Sequence, residues 1–150
     1  PLIHEENCNF SFSGLKSSVA QLVLNKKITE KFKCDVSASF QRTIAEILIT
    51  KTRKALDIFK DMNKKQNTVN IVVAGGVAAN KYLRESLKSI EKSSNVQFFF
   101  PSLQLCTDNG AMIAYAGIER YEKNLFNKLN FKPRPRWPLD KKAIFMKGKR

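Results

Sequence analysis

The run Val69-Asn70-Ile71-Val72-Val73-Ala74 stops at Gly75-Gly76 and gives way to the helical pattern of Ala79 to Ile90. A short β-branched stretch closed by glycines reads as a buried strand. A second such stretch, Val96 to Phe100, is closed by Pro101, and a further helix is expected over Asp108 to Tyr121. Strand, glycine turn, helix, strand, loop, helix is the order of an α/β layer. Two or three strands are too few for a sheet covered on both faces. The chain therefore either dimerises or forms part of a larger domain, and the second is expected.

Upstream of this layer the pattern is helical. Leu15, Val19, Leu22 and Val23 recur at helical spacing, which predicts a helix over Leu15 to Leu24. From Val36 to Met62 the apolar positions Phe40, Ile44, Ile47, Leu48, Leu56 and Phe59 recur every three or four residues. One long amphipathic helix results, with Asp35 or Ser37 as its cap and the polar stretch Asn63 to Asn67 as its stop. Asn9 to Ser13 alternates polar and aromatic residues and predicts a short strand with Phe10 and Phe12 on one face. The small residues Gly110, Ala111, Ala114, Ala116 and Gly117 predict a tightly packed last helix. Beyond Lys132 the prolines at 133, 135 and 138 remove donors and restrict their neighbours, so 133–150 is expected to be an extended tail.

Charge bears on partners. The 150 residues carry a formal +14, and a basic protein attracts polyanions, nucleic acid first. Between Arg120 and Arg150, eleven Lys or Arg face two acidic residues, Glu122 and Asp140. This tail either touches nucleic acid or is a solvated edge. Cys8, Cys34 and Cys106 are odd in number and far apart, which argues against a disulfide framework or structural zinc and for reduced thiols in the cytoplasm. No apolar run approaches the ~20 residues needed to span a bilayer, so no membrane is expected as a partner.

Two motifs carry chemistry. In Gly75-Gly76-Val77-Ala78-Ala79-Asn80 the glycines allow close backbone approach to a ligand, and the following helix start offers N–H groups to a phosphate or ribose. Asn80 can donate and accept to a sugar hydroxyl or base edge. The same turn would equally serve tight strand-to-helix packing. In Cys106-Thr107-Asp108-Asn109-Gly110-Ala111-Met112-Ile113-Ala114, Asp108 stands at the mouth of a helix, where its carboxylate caps N–H groups or reaches a cation. One Asp makes no metal site, and His4 is the only histidine.

Taken together, these motifs resemble the C-terminal half of the tRNA threonylcarbamoyladenosine synthase family, formerly labelled O-sialoglycoprotein endopeptidase. Phe10-Ser11-Phe12-Ser13-Gly14-Leu15-Lys16 is similar to the family's F-S-F-S-G-L-K element, and Arg134-Pro135-Arg136-Trp137-Pro138-Leu139 to its closing tail in the bacterial and organellar style. Four motifs in family order run from near the first residue to near the last. The resemblance implies the C-terminal lobe of an actin-like ATPase fold, incomplete here, over 1–132 with a helical insertion at about 15–63. It implies transfer of a threonylcarbamoyl group from threonylcarbamoyl-adenylate to the adenosine beside the anticodon. The residue matching Asn80 contacts the nucleotide-like substrate, Gly75 and Gly76 face the adenylate, and the Asp matching Asp108 is one ligand of a divalent iron or zinc. Partners implied are tRNA, the missing N-terminal lobe, and in bacteria an inactive paralogue and a small ATPase.

The departures matter as much. The family's H-x-x-x-H metal motif and Ser-Gly-Gly-His phosphate element lie upstream of the resembled region, and neither is in this sequence. The 150-residue chain is therefore expected to be inactive alone, to bind metal poorly and to expose apolar surface that self-association would cover. A non-catalytic nucleotide- or tRNA-binding scaffold is the alternative, though such a scaffold has no chemical need for Asn80 or Asp108. The older metalloendopeptidase label needs a complete metal site and a general base, and the sequence supplies neither. Neutralising Lys132, Arg134 and Arg136 together is predicted to weaken tRNA binding and flatten its salt dependence in filter-binding titrations. Unchanged affinity would make the tail a solvated edge.

Overall fold

The computed structural model describes residues 2–24, 26–64, 68–93 and 95–133. Its elements run α1 (Ser13–Val23), α2 (Glu30–Met62), β1 (Val69–Val72), α3 (Lys81–Lys88), β2 (Val96–Phe99) and α4 (Gly110–Glu122). They fall into two compact units, Pro1–Asn109 with both strands and the first three helices, and Gly110–Arg150 with α4. Of the tail expected at 133–150, only Pro133 lies within the described residues.

β1 and β2 pair in parallel, with Val69 opposite Val96 and Ile71 opposite Phe98. A parallel pair needs a crossover, and α3 supplies it. Alternation along the strands sends Val69, Val96 and Phe98 into a core with Leu56 of α2 and Leu87 and Ile90 around the end of α3. The opposite face is open: Val72 is 72% and Phe99 43% exposed. The strand expected to be buried is thus covered on one face only. On the edge of β2 away from β1, the N–H of Phe98 donates to Glu91 Oε1 at 2.6 Å. That side chain occupies a ladder position a further strand would need.

α2 starts earlier than its apolar pattern suggests. Thr29 caps it by accepting from the Phe32 N–H at 3.2 Å, so neither Asp35 nor Ser37 is the cap. The first turns of α2 bury nothing, and periodicity carries no signal there. At the other end Asn63 stops the helix, its Nδ2 donating to the Phe59 carbonyl at 2.9 Å.

The strand expected over Asn9 to Ser13 does not form. Residues 9–12 are irregular and α1 begins at Ser13, with Gly14 inside it. No strand among the described residues lies beside this segment, so its alternation has no ladder to join. Phe10 and Phe12 still meet, with ring centroids 5.4 Å apart. The segment before it is tied to α2 by the buried Lys51, whose Nζ donates to the carbonyls of Glu5 and Asn7, both at 2.9 Å. Lys54 pairs with Glu6 beside it. The hydrogen bond and charge of Lys54, with a lesser contribution from Lys51, hold the Glu6 carboxyl below its usual 4.5. A lowered carboxylate value means that this tie is in place above about pH 4.5 and is lost as pH falls through the lowered value.

α4 also departs from expectation. It buries no residue, and a Cβ built on Gly110 or Gly117 meets nothing within 4 Å. Its small residues pack against nothing in the described residues. Met112, Ile113, Tyr115, Ile118 and Tyr121 are all exposed, an apolar surface of the kind that marks an interaction face. No helix among the described residues is long and apolar enough to cross a membrane.

Two substitutions test this account by urea denaturation. Ile90→Ala, at a side chain with no exposure, is expected to cost about 2–5 kcal/mol. Thr29→Ala is expected to cost about 1 kcal/mol, the loss of one cap. A smaller loss at Ile90 than at Thr29 would contradict the core placement.

Candidate functional site

The glycine turn opens in an unusual backbone conformation. Gly75 takes φ 91°, ψ 175°, where a side chain is strained. A Cβ added to Gly75 or Gly76 would meet no atom within 4 Å. Tight strand-to-helix packing is therefore not what these glycines provide, and the space beside them is open. The helix also begins differently from expectation: Gly76–Ala79 forms a 3-10 turn and α3 starts only at Lys81. Ala78 N–H is taken by the Gly75 carbonyl at 2.9 Å and Asn80 N–H by Val77 at 3.1 Å. The N–H groups of Gly76 and Val77 have no partner among the described residues, and both residues are exposed.

Asn80 sits between turn and helix as the cap of α3. Its Oδ1 accepts from the Leu83 N–H at 3.1 Å, and its Nδ2 donates to Gln41 Oε1 on α2 at 2.9 Å. The half-buried amide thus stitches α2 to the start of α3. Beside it opens a groove of about 560 Å³, within the range of small-molecule sites. Lys16, Ser37, Gln41 and Asn80 are its polar lining, and Val19, Phe40 and Ile44 form much of its apolar wall. Lys16 closes the Phe-Ser-Phe-Ser-Gly-Leu-Lys motif and Asn80 closes the glycine-turn motif. Two sequence motifs 64 residues apart meet in this groove.

A second convergence runs through Arg84, one turn beyond Asn80. Its Nε donates to the Ala78 carbonyl of the glycine turn. Its Nη2 donates to the Pro101 carbonyl at 2.8 Å and to Cys106 Sγ at 3.0 Å, and the guanidinium lies 5.1 Å from the Phe100 ring centroid. The rigid fork of an arginine suits such a three-way tie. It holds the glycine turn, the end of β2 and the loop leading to Asp108 in one arrangement. Cys106 is buried and its thiol donates to the Ser102 carbonyl at 3.4 Å. All three cysteines are free.

Asp108 is exposed and two residues short of α4. It makes no hydrogen bond or ion pair with any described residue. The capping role expected for it is therefore not filled, and its carboxylate is available. Among the described residues no three His, Cys, Asp or Glu side chains come together as a metal site. These residues do not by themselves fit a bound cation, and His4 is exposed. Lys132 is exposed; Arg134 and Arg136 lie outside the described residues.

Sequence reasoning singled out Asn80 but not Gln41 or Arg84. Gln41 lies on a helix face shared with Phe40 and Ile44, and nothing local marks it. Arg84 sits in a helical pattern where a basic residue normally faces water. Arg84→Met is expected to speed amide exchange in both 76–80 and 102–108 and to cost about 2 kcal/mol of stability. Arg84→Lys should retain part of both effects. Exchange rising in one segment alone would contradict the shared tie.

Comparison with known proteins adds the following. A family model described as tRNA N6-adenosine threonylcarbamoyltransferase matches residues 1–115. A Rickettsia massiliae protein named tRNA N6-adenosine threonylcarbamoyltransferase is 50% identical over 141 residues, covering 93% of this chain and 41% of its own length. Proteins of the same name from Rickettsia canadensis and Rickettsia bellii are 50% and 48% identical over the same spans. The chain thus spans about two-fifths of the length of these curated relatives.

Proposed function

Because the chain belongs to the tRNA N6-adenosine threonylcarbamoyltransferase family, we propose that it supplies the adenylate-holding part of a threonylcarbamoyl transferase acting on tRNA. The observation that carries this reading is the meeting of Lys16, Gln41 and Asn80 in one groove beside an open glycine turn. The adenosine of threonylcarbamoyl-adenylate lies in the groove against Phe40 and Ile44, with its ribose near Asn80. Its phosphate turns toward the free N–H groups of Gly76 and Val77, which favour an anion.

In the transfer, the exocyclic amine of the tRNA adenosine attacks the threonylcarbamoyl carbonyl. A C–N bond forms, the C–O bond to the adenylate phosphate breaks, the amine gives up a proton and AMP leaves. The residues of this chain contribute by position. Fixing the adenylate holds the scissile bond in one place, and backbone N–H groups aimed at the phosphate stabilise the charge it gains on departure. Asp108 offers one carboxylate to a divalent iron or zinc whose other donors come from residues beyond this chain. Lys132, with Arg134 and Arg136, is the contact to the tRNA backbone.

The same reading accounts for the open surfaces. In the C-terminal lobe of an actin-like fold, the two strands continue into a larger sheet. Glu91 occupies the free edge of β2, so the sheet grows from β1. The apolar face of α4 meets the rest of such a protein.

Grafting decides the matter. This chain replaces the matching stretch of the Rickettsia massiliae protein, and transfer from synthetic threonylcarbamoyl-adenylate to tRNA is assayed for the graft and for the chain alone. The graft is expected to turn over and the 150-residue chain to be inactive. Gly76→Ala in the graft should lower kcat/KM for the adenylate about tenfold or more with the melting temperature kept, because its methyl fills space no protein atom occupies. Turnover by the isolated chain, or a silent Gly76→Ala, would refute the reading.

A further inference from the structure

The amide pair beneath the groove has only one possible orientation. Leu83 N–H is a donor, so the Asn80 atom facing it at 3.1 Å must be the oxygen. Asn80 therefore turns its Nδ2 to Gln41, and the Gln41 atom that receives it at 2.9 Å must in turn be its oxygen. One backbone N–H fixes two side-chain amides in sequence. The consequence falls on Gln41, whose Nε2 is left with two N–H groups and no partner among the described residues. Gln41 is half-buried and lines the groove, where a donor without an acceptor is costly once water is displaced.

We infer that Gln41 is the base-reading residue of the groove: its Nε2 donates to an acceptor nitrogen on the adenine ring, while Asn80 acts as the positioning residue that holds it in that sense. This rests on the reading that the groove takes the adenylate. It goes further by assigning the recognition to a residue on α2, outside every motif, and by stating its polarity. The pocket presents a donor and so requires an acceptor on the ligand. Phe40, the preceding residue, also lines the groove and offers an apolar surface for the base.

Calorimetric titration of the 150-residue chain with AMP and its 1-deaza, 3-deaza and 7-deaza analogues tests this. Gln41→Met is expected to weaken AMP about three- to tenfold, the loss of one hydrogen bond. One of the three deaza analogues should show the same loss on the unmodified chain and no additional loss on Gln41→Met. A second variant, Asn80→Asp, keeps an oxygen to cap α3 but removes the donor that orients Gln41. It should melt near the unmodified chain, bind uncharged adenosine as weakly as Gln41→Met does, and add nothing when combined with it. AMP binding unchanged in Gln41→Met, or deaza losses equal on both proteins, overturns the inference while leaving the groove reading in place. An unmodified chain that takes up no AMP overturns both.

Discussion

The hydrogen bond from the Leu83 N–H to Asn80 Oδ1 sets the arrangement around it. Helix starts leave backbone donors unsatisfied, and a capping amide answers one of them. An amide, unlike the carboxylate of Asp, has N–H donors left over. Asn80 gives one to Gln41 of α2, so the cap of one helix also fixes its distance from another. Four residues on, Arg84 binds the turn that precedes the cap, the end of β2 and the Cys106 loop. The crossover helix is thus anchored at its first turn to α2, to the glycine turn, to the end of β2 and to the Cys106 loop.

The sequence is informative where a signal is local. β-branched runs closed by glycine or proline place both strands, and apolar periodicity places α2 and α3, because each depends on a single element meeting a core. The phenylalanines at 10 and 12 alternate as a strand would, yet no partner strand among the described residues lies beside them and α1 begins at Ser13. Thr29 and Asp35 are equally plausible caps by residue type; which one serves depends on how far α2 runs beyond its buried stretch. The site was half legible. Glycines and Asn80 announce themselves through backbone chemistry. Gln41 and Arg84 gain their importance from partners 39 and 22 residues away, a relation no window of sequence contains.

Several surfaces lack a counterpart within the described residues. One face of the two-stranded sheet is exposed, α4 buries nothing, and Asp108 makes no hydrogen bond or ion pair with a described residue and belongs to no described group of three metal-ligating side chains. A folded chain that leaves this much apolar surface and an unpaired carboxylate is suited to meeting further structure. Its relatives are more than twice as long. Asn80 and Arg84 tie the glycine turn and the start of α3 to their neighbours, whereas one sheet face and the apolar residues of α4 stay exposed.

If the groove beside Asn80 receives the adenosine of an adenylate, nuclear magnetic resonance reads that contact residue by residue. Titrating the isotope-labelled chain with AMP is predicted to shift the side-chain amides of Gln41 and Asn80 together with the backbone N–H signals of Gly76 and Val77. Shifts confined to the basic residues after Arg120, with those four residues unmoved, would contradict the account.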